Sequence, residues 1–107
     1  MIFFYIEKFA IRYRMEEIIP RKILGKLKEY QRIIESVINN YDSTQLLQLK
    51  LALSTTNEYI PSLKEELKND LNKDLRRFLE RELEIWLEKK EALLIAIKNI
   101  EKYLRQV

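Results

Sequence analysis

The sequence predicts an all-α fold, an antiparallel three- or four-helix bundle with a long C-terminal helix. Three observations carry this. One Gly and two Pro in 107 residues are too few for a β-rich fold, which needs many tight turns. Apolar residues recur at steps of three and four over long stretches. From Ser62 to Gln106 neither Gly nor Pro interrupts the chain. The length is that of a single helical domain, 1–107, with 1–19 a candidate N-terminal arm.

The first segment carries two periods. Ile2, Ile6, Phe9 and Tyr13 fall at steps of four, three and four, as on a helix face; Phe9, Ile11, Tyr13 and Met15 alternate as on a strand. A lone strand cannot satisfy its ladder, and no other segment offers it a partner, so a helix over 3–18 is the expectation. Met15 opens a cleaner sequence, Met-Glu-Glu-Ile-Ile-Pro, and is an alternative start that would make the preceding segment dispensable. The second helix, 20–40, starts at Pro20, whose missing N–H suits a first helical position. Ile23, Leu27, Tyr30, Ile34, Val37 and Tyr41 make a heptad seam, widened by Leu24 and Ile38. Gly25 inside it marks a candidate close contact, and Asn39-Asn40 ends it.

Asp42 or Ser43 caps a third helix over 43–57, with Gln45 three residues after Asp42. Leu46, Leu47, Leu49, Leu51, Ala52 and Leu53 make it the expected central core element, buried on most sides, and it fades in Ser54-Thr55-Thr56-Asn57. Pro61 and the Ser62–Glu65 capping box open the last helix, 62–106. In it Leu63, Leu67, Leu71, Leu75, Leu79, Leu83 and Leu87 recur every fourth residue. A step of four overshoots one turn by about 40°, so these leucines sweep round the helix and cannot all face one partner. Asn69 to Asp74 is its weakest stretch and a candidate break. The core is expected to include Ile23, Leu27, Ile34, Leu46, Leu49, Leu53, Leu79, Trp86, Leu93 and Ile97.

The absence of Cys and His removes disulfides, zinc fingers, and Cys or His nucleophiles and bases. The remaining reactive groups are not grouped with an activator, so no enzymatic activity, catalytic residue, cofactor, metal or small-molecule substrate is expected. Glu66, Asp70 and Asp74 form an acidic column that a hard cation would suit. No Glu-x-x-His follows, and a solvated face is the plainer reading; a metal-dependent helical-bundle enzyme is the remote alternative. No apolar run is long enough to span a bilayer, and Ile2 to Ile6 lacks the flanks of a signal peptide, so a cytoplasmic, membrane-free protein is expected. Richness in Ile, Leu, Lys and Glu without Cys resembles thermophile usage.

The net charge is +3, and the whole excess lies between Met1 and Asn40. Arg12, Arg14, Arg21, Lys22, Lys26 and Lys28, with Tyr13 and Tyr30, are the candidate nucleic-acid contacts. Two charge columns on the last segment, Lys73-Arg77-Arg81 and Glu80-Glu84-Glu88, can steer a partner helix. A helix longer than its neighbours needs further cover, so a homodimer or a helical protein partner is expected. The candidate interface comprises Leu63, Leu67, Leu71, Leu75 and Trp86, the last as an anchor.

The order of a short helix, an amphipathic helix and a long charged C-terminal helix resembles small helical subunits of archaeal replication assemblies, with no motif to transfer residue roles. That resemblance implies an accessory subunit of a nucleic-acid-processing complex, in replication or transcription. The expected function is accordingly a non-enzymatic protein–protein interaction and assembly subunit. A direct nucleic-acid-binding dimer using the basic segment Met1–Asn40 is the alternative.

Overall fold

Residues 15–106 are described by the structure, a computed structural model. Within them every regular element is helical, so the fold is all-α. Residues 15–18 are helical and lead through Pro20 into α1, Arg21–Lys26. A 3₁₀ turn, Lys28–Tyr30, joins α1 to α2, Gln31–Asn40. Two long helices follow, α3, Ser43–Glu66, and α4, Lys73–Arg105. The expected helix over 3–18 lies outside the described residues except for this last turn.

Three expected boundaries differ. The 20–40 helix is two helices. Gly25 is a poor helix former, and two residues later the ladder tightens to Leu27 N–H to Leu24 O and Tyr30 N–H to Leu27 O, 3.0 and 2.9 Å. Pro20 sits one position before the helix, where its carbonyl accepts from Ile23 and Leu24. Gly25 itself makes no close approach: a Cβ there would meet nothing within 4 Å.

The third helix does not end at 57, nor does the fourth begin at 62. α3 runs through Pro61. The cluster that reads as a terminus is absorbed by back-bonding: Thr55 and Thr56 hydroxyls donate to the carbonyls of Leu51 and Ala52, at 3.0 and 2.8 Å. Ser62 caps nothing, and its hydroxyl reaches back to Glu58 O at 3.4 Å. The carbonyl orphaned by Pro61 belongs to Asn57, which is exposed to water. Burial of Ile60 and Leu63, each 4% exposed, holds the helix together across the proline.

The hairpin bend instead occupies 67–72. Asn72 Oδ1 accepts from Leu75 N–H at 2.8 Å and caps α4. Arg76 reaches back across the bend and donates to Leu67 O and Asn69 O, both at 3.0 Å, satisfying carbonyls left open where α3 ends. The leucine series is therefore split. Leu63 lies on α3, Leu67 and Leu71 in the bend, and Leu75 to Leu87 on α4. Leu47 and Leu51, 53% and 52% exposed, show that α3 is covered on one side rather than all round. Two local readings hold. Asp42 caps α3, accepting from Thr44 and Gln45 N–H at 3.0 and 3.2 Å. α2 ends at Asn40, where Tyr41 turns left-handed, φ 53°, and stacks on Tyr103.

The molecule has two regions. In the head, α1, α2, the first half of α3 and the last four turns of α4 share one core. Ile19, Leu27, Ile34, Ile38, Leu49, Leu93 and Ile100 are its large, fully buried side chains. Of the expected core, Leu27, Ile34, Leu49, Leu93 and Ile97 are buried there, and Ile23, Leu46 and Leu53 pack against it half-buried. Leu79 and Trp86 are half-buried and lie outside it, because the head ends before reaching them. Beyond it, the remainder of α3 and α4 runs as a two-helix stalk. At about 1.5 Å per residue α4 is about 50 Å long, against an overall extent of 57 × 29 × 18 Å. The radius of gyration, 17.0 Å, exceeds the about 13 Å of a compact chain of about 100 residues.

Candidate protein interface on the helical hairpin

α4 changes character along its length. All its buried residues, Ala92, Leu93, Ala96, Ile97 and Ile100, lie in the last four turns. Before Lys89, where the 3₁₀ turn still reaches it, the described residues that pack on it belong to α3 and the bend. Two helices in contact bury one stripe of each, and residues beside the stripe stay in water. Phe78, Glu82, Ile85, Lys89, Ala92 and Ala96 follow at steps of four, three, four, three and four, so they form one edge of α4. In the head this edge is narrow and closed: Ala92 is 1% exposed and Ala96 0%, in the core shared with Leu24 and Leu27. In the stalk the same edge carries Phe78 at 59% and Ile85 at 44% exposure. The edge is covered up to the 3₁₀ turn and bare beyond it.

Lys89 stands at the boundary. Its ammonium bonds Glu29 of the 3₁₀ turn at 2.6 Å and sits 4.7 Å from the Trp86 ring centroid. Its side chain is only 18% exposed. The Trp86 indole N–H donates to Glu82 Oε2, one turn back, at 3.2 Å. The Tyr59 ring of α3 meets Trp86 edge-on, centroids 5.0 Å apart. Lys89, Glu82 and Tyr59 thus fix Trp86 as the floor of a flank whose exposed apolar groups are Tyr59, Phe78 and Ile85. Beside Lys89, burial raises the Tyr30 phenol above its usual pKa; the Glu29 charge adds to that and the Lys89 charge opposes it.

The five expected interface residues are dispersed. Leu63 is buried between α3 and α4, Leu67 and Leu71 are half-buried at the bend, and Leu75 is 42% exposed. Trp86 lies in the hairpin seam and shows only part of its ring. Sequence reading missed Phe78 and Ile85 as an exposed pair; their spacing of seven was the available signal. Tyr59 had none, since its partner lies on another helix, and of the Lys89 contacts only Trp86, three residues back on α4, was within reach of a local pattern.

Among the expected nucleic-acid contacts, Arg12 and Arg14 lie outside the described residues. Arg21, Lys22, Lys26 and Lys28 are exposed on α1 and the turn after it. Of the two aromatic members, Tyr13 lies outside the described residues and Tyr30 packs against the head core. Arg21 lies 3.7 Å from Glu16, and both line a cavity of about 230 Å³ with Glu35, so acidic groups interrupt the basic surface. The acidic column also dissolves: Glu66 ends α3, Asp70 lies in the bend and Asp74 opens α4. No helix among the described residues is long and apolar enough to cross a membrane.

No protein-family model matches the chain, and neither a curated protein nor a solved structure matches it.

Proposed function

We propose that this protein is a non-enzymatic assembly subunit that engages a helical partner through the exposed flank of the α3–α4 hairpin. One observation carries the reading: the edge of α4 that α1 closes in the head emerges in the stalk with Phe78 and Ile85 uncovered. Arrays of apolar side chains beside a rigid helix are what a further helix packs into. The flank is also held in shape before any partner arrives. Trp86 is fixed by Glu82, Tyr59 and Lys89, so little side-chain freedom is lost on docking. The charged rows beside it supply orientation.

Photo-crosslinking in living cells tests this. A benzophenone side chain at position 78 or 85 gives a discrete adduct with a protein. The same group at Asn57, about 200° round α3 from Tyr59, gives none. Absence of any adduct from both 78 and 85, with the protein folded, overturns the reading.

A further inference from the structure

We infer that the occupant of this flank is a second copy of the chain, its α4 laid antiparallel on the first. The inference rests on the reading of the flank as an interface and adds the identity and direction of the partner. Next to the apolar edge runs a second row at the same spacing: Arg77, Arg81, Glu84 and Glu88, at steps of four, three and four. All four are exposed, and none makes an ion pair within the described chain. Their order is two cations followed by two anions. Such a row matches a reversed copy of itself. With a two-fold axis midway between Arg81 and Glu84, each Arg81 faces the partner's Glu84 and each Arg77 the partner's Glu88. A parallel copy in register sets like charge on like.

The apolar edge independently asks for the same axis. Antiparallel helices oppose corresponding edges, so the row of Phe78 and Ile85 meets its own counterpart. Ile85 lies two and a half residues past the axis, and Phe78 four and a half before it. At about 1.5 Å per residue, Ile85 then comes within about 3 Å, along the helix, of the level of the partner's Phe78. One axis pairs all four charges and covers both apolar side chains twice over. The arrangement is closed, so it stops at two copies. Glu82 and Lys89, on the same edge, already have partners in their own chain. The Lys89 charge is neutralised by Glu29, whereas Glu82 is held by a neutral indole N–H and keeps its charge, half-buried, near the axis.

The test is light scattering and sedimentation equilibrium of the full chain from 1 to 200 µM, with circular dichroism to verify folding. The expected state is a dimer, weakened several-fold between 0.1 and 0.5 M NaCl. Arg77→Glu with Arg81→Glu weakens it at least tenfold, and so does Glu84→Lys with Glu88→Lys. Mixing these two variants restores wild-type affinity as a one-to-one heterodimer. All four positions are exposed, so the variants fold. A wild-type monomer at 200 µM overturns the inference, and so does a mixture that stays monomeric. If the wild type is monomeric yet position 78 still crosslinks in cells, only the second copy is rejected. If crosslinking also fails, the interface reading falls with it.

Discussion

Replacing Lys89 separates the three things its side chain does. It bonds a half-exposed Glu29, covers the Trp86 ring, and fills the junction with its aliphatic stem. Glu29 is 53% exposed, so solvent screens the pair, and its worth is about 0.5–1 kcal/mol. The ammonium over the indole adds about 0.5–1 kcal/mol. Lys89→Met removes both but keeps the stem and gains a sulfur–aromatic contact of about 0.3–1 kcal/mol, for a net loss of about 1 kcal/mol. Lys89→Ala also strips methylenes from a side chain only 18% exposed, at about 0.8 kcal/mol each, for a loss of about 3 kcal/mol. Urea unfolding at 1 µM protein, followed by circular dichroism, measures both. Trp86, the only tryptophan, reports the junction by its emission. Equal losses for Met and Ala would refute the packing role of the stem. A Met variant as stable as the wild type would refute the role assigned to the charge.

Three further outcomes are expected. Pro61→Ala restores a main-chain bond inside α3 and stabilises the protein by about 2 kcal/mol, after allowing for the freer unfolded chain, in the same unfolding assay. Gly25→Ala, at an exposed helical site with open space for a Cβ and no positive φ, stabilises by about 0.5–1 kcal/mol, read as a melting temperature higher by a few degrees. Tyr30 has a raised pKa in the folded state, so it is protonated in both states below pH 10 and its contribution is complete there. Above pH 10 the unfolded chain gives up this proton first and stability falls; Tyr30→Phe, compared with wild type from pH 8 to 11, removes that part of the decline.

The class and several joints were legible because they are local. Asp42 before Thr44 and Gln45 is a cap by chemistry alone, and the weak helix formers Asn39-Asn40 fall at the end of α2. The hairpin bend had two candidate places, and Pro61 with Ser62-x-x-Glu65 looks more like a beginning than the weak stretch from Asn69 to Asp74 looks like a break. What overrode them was burial: Ile60 and Leu63 continue the α3 stripe against α4, and helix-wide packing outweighs one missing bond. Asn72 was also a sound cap, but an earlier signal of the same kind stood ahead of it. The flank was half legible. Its charge rows are plain in the sequence, whereas its boundary is set by Glu29 meeting Lys89 from a distant part of the chain, which no local pattern reports.

The division into head and stalk also orders the folding of the chain. α1 packs on the last turns of α4, whose Leu93, Ile97 and Ile100 lie near the far end of the sequence, while α2 packs chiefly on the neighbouring α3. α2 can therefore dock on α3 early, but α1 must wait, on a ribosome, until the end of α4 has emerged. The hairpin between α3 and α4, tied by Asn72 and Arg76, involves a short bend and can form first. The stalk then acts as the template that carries the far end of α4 back beside α2, and an error in the bend becomes an error in the head.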